Sequence, residues 1–246
     1  MHRVAEAIRV FYPEVDRLIS NTKKVFYKAP SHIRIFRAIA PGIPLPPQPI
    51  ITRWGTWLAA ANYYADHFDI LKQILDDHLN DEDAASKAAA KIQFRKPGIR
   101  EQPAYIKVWF SDLPIAITKL EDTKLFITES LAIVRTVQTN LANAPGDGAK
   151  AASLKLTQVL NKNEGFLKLS NMAEILSGNQ GNNSVPLADV NYTAADIAAY
   201  SYAPVASCDI ERSFSRYKAL LADNRRSFTF DNLRKVFVSY CNSADD

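Results

Sequence analysis

The side chains best suited to chemistry gather near the end of the chain, at residues 202–241. Pro204 holds the residue before it extended and Asp209 is a good N-cap, so the pattern predicts a helix beginning there. Ile210, Phe214, Tyr217 and Leu221 then recur at helical spacing and define a buried face. At about 100° per residue, Glu211, Ser215 and Lys218 fall on one shoulder of that stripe, with Arg212, Arg216 and Ala219 on the far side. One carboxylate therefore stands at the edge of a buried surface. Two readings of it stay open: an acid in a first turn suits the helix dipole, and a carboxylate so placed can ligate a metal ion. By itself it makes no catalytic centre, because two-metal phosphoryl transfer needs carboxylates converging on cations about 3.5–4 Å apart. No GxSxG, HExxH, phosphate-cradling loop or Cys/His dyad spacing points to another chemistry. No metal and no cofactor is expected.

The segment ERSFS at 211–215, preceded by small residues and followed by NRR at 224–226, resembles the C-terminal region of hAT superfamily transposases. In that family a Glu in an S-x-E-R-x-F-S type motif is the last of three catalytic acids on a ribonuclease H-like core. The segment around it contributes to dimerisation. Glu211 stands at the matching position, with Arg212, Phe214 and Ser215 completing the match. A second block, residues 44–68, resembles the T-R-W segment of the helical insertion that these transposases carry between their second and third acids. Trp54 matches a Trp that in characterised relatives stacks on a flipped base at the transposon end. The two blocks stand in the family's order, and KNEGF at 162–166 extends the likeness between them. Residues 204–228 are most similar to a transposon-derived subgroup that includes the CGG-triplet-repeat-binding protein.

Charge is unevenly distributed. The net formal charge is +4, but residues 1–53 hold nine cations (Arg3, Arg9, Arg17, Lys23, Lys24, Lys28, Arg34, Arg37, Arg53) against three acids (Glu6, Glu14, Asp16). Over residues 66–83 the balance reverses, with seven acids against Lys72. A basic segment beside a tryptophan suits a phosphate backbone, and it equally suits a solvated helix face. The candidate nucleic-acid contacts are Lys23, Lys24, Arg53, Trp54, Arg225 and Arg226. Arg225 and Arg226 also follow a predicted helix end, where cations suit the dipole. Trp57 and Trp109 lie within apolar helical stripes and read as core. Cys208 and Cys241 have no companions at zinc spacing, and no apolar run approaches the roughly 20 residues that span a bilayer.

The elements that would position these residues are helical. Val4, Ile8, Phe11, Val15, Leu18 and Ile19 recur at three and four residues, with a restart at Pro13. A proline-rich connector follows at 41–51, then a long helix over 54–79 capped by Thr52, with Trp57, Leu58, Ala61, Tyr64, Phe68, Leu71 and Leu75 on its apolar stripe. Lys96, Pro97 and Gly98 form a break. Residues 105–141 read as helical with interruptions at Pro114 and near Asp122, and 144–148 as a turn. Residues 149–162 and 167–176 are two further helical stretches. Leu233, Val236, Phe237 and Tyr240 make the last apolar face.

The expected fold is mostly α. A multi-helix, insertion-type region occupies residues 1–178, a polar linker 179–193, and a dimerisation region 194–246 that holds the C-terminal helices of an incomplete ribonuclease H-like core. Phe214, Tyr217 and Leu221 on one helix and Leu233, Phe237 and Tyr240 on the next offer more apolar surface than two short helices bury against each other, and the resemblance favours a second copy as cover. No alternating strands are seen, so the chain is expected to begin just after the family's second acid. The functional expectation is a catalytically dead, hAT-derived nuclear protein that works through homodimerisation, DNA binding and transcriptional regulation, with no membrane and no small-molecule substrate. The alternative is the C-terminal fragment of an active transposase whose two catalytic Asp residues lie upstream.

Overall fold

The computed structural model describes residues 1–50, 54–79, 85–122, 124–178, 193–203, 205, 217–218, 220–221 and 228–242; of Trp54 and residues 240–242 it describes the backbone only. All regular structure among the described residues is helical, so the fold is mostly α. Expectations at Thr52, Glu211, Phe214, Arg53, Arg225 and Arg226 lie outside the described residues, as does the polar segment at 179–192.

The chain opens with α1 (His2–Phe11) and α2 (Pro13–Phe26), separated at Tyr12. Pro13 is the first residue of α2, where a missing N–H costs nothing because no partner lies one turn back. Val4, Ile8, Val15, Leu18 and Ile19 are buried as their spacing predicts. Phe11 is not: it ends α1, remains 43% exposed and meets Tyr12 edge-on. The sequence reading also passed over α3 (Pro30–Ile39), although Pro30 at its start and the fully buried Phe36 mark it as a helix.

The long helix appears as α4 (Trp54–Gln73), kinked at His67, and runs into a π-helical turn over Ile74–His78. All seven residues of its expected stripe are buried. After α5 (Ala85–Phe94) the chain turns through Gly98, whose φ of 73° favours a residue without Cβ. The next break falls at Ser111, between α6 (Glu101–Phe110) and α7 (Asp112–Leu120), and not at Pro114. Pro114 sits in the first turn of α7, where its ring is tolerated. Then follow α8 (Ile127–Asn143), α9 (Asp147–Asn161), α10 (Glu164–Leu176), α11 (Ala194–Tyr200) and α12 (Phe230–Asn242).

The expected turn at 144–148 is shorter than predicted. Gly146 takes φ 86° at the N-cap of α9, and Gly148 already belongs to the helix. Tyr12 explains the second glycine. Its ring lies against Gly148, and a Cβ there would come within 2.9 Å of Tyr12 Cζ and closer still to the hydroxyl. Tyr105 packs beside Tyr12 with ring centroids 6.0 Å apart, and its hydroxyl donates to Pro145 O.

Helix α4 is central: α1, α2, α6 and α7 all pack on it, while α1 also packs on α9 and α2 on α5. The α2–α5 seam is closed by polar contacts. The buried Gln93 donates from Nε2 both to Glu14 O (2.9 Å) and to Glu14 Oε2 (2.7 Å), and Lys96 reaches the same carboxylate. The side-chain hydrogen bonds from Gln93 and from Lys96, and then the charges of Arg17 and Lys96, hold the Glu14 carboxyl below its ordinary value. A smaller cluster joins α8 and α10 through Ile127, Leu131 and Ala173, with Ala203 and Val205 packed against it. Ser201 O accepts from Ile127 N–H at 2.9 Å, which ties the chain after α11 to the start of α8.

Candidate nucleic-acid interface

Charge pairing across helices decides which cations remain available to a ligand. Arg3 pairs with Glu6 at 3.0 Å and Arg17 with Glu14 at 2.7 Å. Arg9 engages Asp16 with two hydrogen bonds, Nε to Oδ1 at 2.7 Å and Nη2 to Oδ2 at 3.1 Å. The three acids of the first fifth thus neutralise its first three arginines. Lys23, Lys24, Arg34 and Arg37 have no acidic partner among the described residues.

Lys23 and Lys24 occupy the last turn of α2, where their charge suits the dipole. Tyr27 N–H donates to Lys23 O at 2.9 Å and so closes the last turn of α2, while its own ψ of 121° already turns the chain out of the helix. Lys28 then adopts φ 53°, a left-handed conformation that side-chain-bearing residues seldom take. The reversal leads into α3, which is fixed on α2 by Phe26 and Phe36 (edge-on, centroids 5.5 Å) and by the His32 ring, whose Nδ1 lies 2.8 Å from Val25 O. Arg34 and Arg37 stand one turn apart on the exposed side of α3.

The tryptophans separate by role. Trp57 is buried and donates from Nε1 to Asp16 Oδ1 at 3.0 Å, so Asp16 holds both Trp57 and Arg9. Trp109 is half-buried and packed against the main core. Both are packing residues, as their stripes predict. Trp54 is the first residue of α4, close to the proline-rich connector; its side chain is outside the described residues.

Three carboxylates of the acidic stretch serve the fold through cross-helix pairs. Asp66 pairs with Lys107, Asp69 with Arg100 at 2.6 Å, and Asp76 with Arg95 at 2.9 Å. These pairs join α4 and the π-helical turn to the chain from α5 to α6. Among the described residues no three His, Cys, Asp or Glu side chains are grouped to hold a metal ion. No helix there is long and apolar enough to cross a membrane.

A shallow groove of about 260 Å³ lies between α7 and α8, lined by Asp112, Ile115, Lys119, Ile133 and Thr136. Its carboxylate is already engaged, since Asp112 Oδ2 accepts from Asn140 Nδ2 at 2.9 Å.

Of the expected dimerisation residues, Tyr217 and Leu221 are each 37% exposed, and Leu233 and Phe237 are half-buried. The structure brings Tyr217 and Phe237 together, ring to ring. The side chain of Tyr240 lies outside the described residues. Two features escaped the sequence reading. Tyr27, exposed beside three lysines, could have been found from the string KKVFYK; Lys87 could not, because AASKAAAK reads as a solvated face while its amine is in fact enclosed with no hydrogen-bond partner among the described residues.

No protein-family profile matches the chain, and no match is found among curated proteins or among solved structures.

Proposed function

We propose that the chain is a catalytically inactive, hAT-derived nuclear protein that acts as a homodimer and binds DNA through its phosphates, with transcriptional regulation as the outcome. The observation that carries the DNA reading is the sorting of charges in the first helices: Arg3, Arg9 and Arg17 are consumed by intramolecular pairs, whereas Lys23 and Lys24 at the end of α2 have no acidic partner among the described residues. Cations in that state release counterions on meeting phosphate, which makes binding salt-dependent and indifferent to sequence. The dimer reading is supported by Tyr217, Leu221 and Val236, each 37% exposed, and by the half-buried Phe237 that Tyr217 meets. The inactive reading rests on Glu211 being the one acid in the chain that matches the family's catalytic set.

A second reading, the C-terminal part of an active DNA transposase, is favoured by the two sequence blocks standing in family order. Light scattering of the purified chain with and without duplex DNA tests the first reading. The expected result is a dimer mass and an affinity that falls steeply between about 50 and 200 mM salt. A monomer indifferent to DNA at low salt defeats it. Mg²⁺- or Mn²⁺-dependent nicking, lost on Glu211→Gln, establishes the second reading instead.

A further inference from the structure

We propose that the corner between α2 and α3 is a binding site for unpaired nucleic acid, with Tyr27 as the surface on which a base stacks and Lys23, Lys24 and Lys28 as contacts to the adjoining phosphates. This site rests on the nucleic-acid reading above and narrows it to a strand type and a face.

Tyr27 is 53% exposed at the end of a well-packed helix. Its neighbours in α2 that turn inward are Thr22, Val25 and Phe26, all buried. Because Tyr27 N–H still closes a helical turn on Lys23 O, Tyr27 rises one turn above Lys23 and Lys24 on the same side of the helix. Lys28 completes the group, its Nζ 5.3 Å from the centroid of the Tyr27 ring. The left-handed Lys28 is held in place by tertiary contacts on both sides, Phe26 against Phe36 and His32 against Val25 O. An aromatic ring is thereby presented to solvent among three cations by a corner that packing fixes.

The chemistry selects the ligand. A base inside a duplex has both faces covered by its neighbours and can offer only its phosphates to this corner. An unpaired base has an open face, and stacking on an exposed aromatic beside a cationic track is how single strands are held without regard to sequence. Acidic peptides would use the lysines and leave the ring idle, and an anionic lipid surface, which also accommodates a tyrosine at its headgroups, is separated by the vesicle probe.

The test uses the full chain and fluorescence anisotropy at low salt with three probes: a mixed-sequence single-stranded DNA, the duplex made from it, and vesicles of phosphatidylserine and phosphatidylcholine. The expected result is tighter binding of the single strand, a loss of about fivefold or more on Tyr27→Ala, and retention in Tyr27→Phe, which keeps the ring. Duplex affinity should change by less than about twofold in Tyr27→Ala, and Lys23→Glu with Lys24→Glu should weaken both DNA forms. Tyr27 is exposed, so an unchanged helical circular dichroism signal certifies each variant. The proposal is overturned by a Tyr27→Ala variant that binds single strands as the native chain does, by equal losses in the Phe and Ala variants, or by binding confined to the vesicles. If both DNA forms bind alike and Tyr27→Ala is silent, this site fails while the wider DNA reading stands. If neither form binds at all, both fail.

Discussion

Tyr217 and Phe237 meet edge to face, their ring centroids 5.5 Å apart and their planes at 84°. The contact links Tyr217 to α12, and aromatic pairs of this geometry contribute about 0.5–1.5 kcal/mol beyond the area they bury. Tyr217, Leu221 and Val236 nonetheless keep over a third of their surface open. A second copy that covered several such side chains would gain about 1.5–3 kcal/mol for each one fully buried, set against the cost of association. Phe237→Asp is therefore expected to abolish the dimer while the signal of the remaining helices persists. Sedimentation equilibrium at tens of micromolar reads the outcome, and a native chain that sediments as a monomer returns these residues to an ordinary core.

Asp16 joins α1, α2 and α4 by accepting from both Arg9 and Trp57. Asp16→Ala leaves the buried indole N–H without its partner, a loss of about 1–3 kcal/mol. Urea denaturation should show that loss, and a Trp57→Phe background should reduce it, since the indole donor is then already gone. Equal losses in the two backgrounds would show that the two groups do not interact.

Tyr12 fills the space that a Cβ at Gly148 would need. Gly148→Ala would normally favour a helix, but here the added methyl meets the Tyr12 ring and the core must shift, at about 1–3 kcal/mol. Thermal melts should show the drop. Tyr12→Phe removes only the hydroxyl and should restore part of it, because ring carbons also crowd the site.

The Glu14 carboxyl is held below its ordinary value by Gln93 and Lys96. A group whose folded-state pKa is depressed contributes stability that is fully present above the unfolded value and is lost as pH falls through the folded one. The melting temperature should therefore decline as the pH drops below about 4.5, the ordinary value for this group. In Glu14→Gln that acid-side decline should be shallower. Identical acid limbs for the two proteins would place the titration elsewhere.

Much of the fold was legible in the chain itself. Apolar spacing and the proline at the start of α2 determined where helices form and which faces turn inward, because both act over a single turn: Val4, Ile8 and Val15 in the first helices and Trp57, Tyr64 and Leu71 in α4 were readable in advance. The acidic run and the basic first fifth were equally visible as counts. What those charges do was decided only by tertiary structure, because ion pairs form between residues that packing brings together: Asp69 finds Arg100, Asp76 finds Arg95, and Asp16 finds Arg9 and Trp57. The same packing brings no acid among the described residues to Lys23 and Lys24, leaves Tyr27 open beside them, and encloses the amine of Lys87 in an alanine-rich helix. Local pattern sets the faces of a helix; only the neighbours against which it packs determine which charged groups on those faces remain for a ligand.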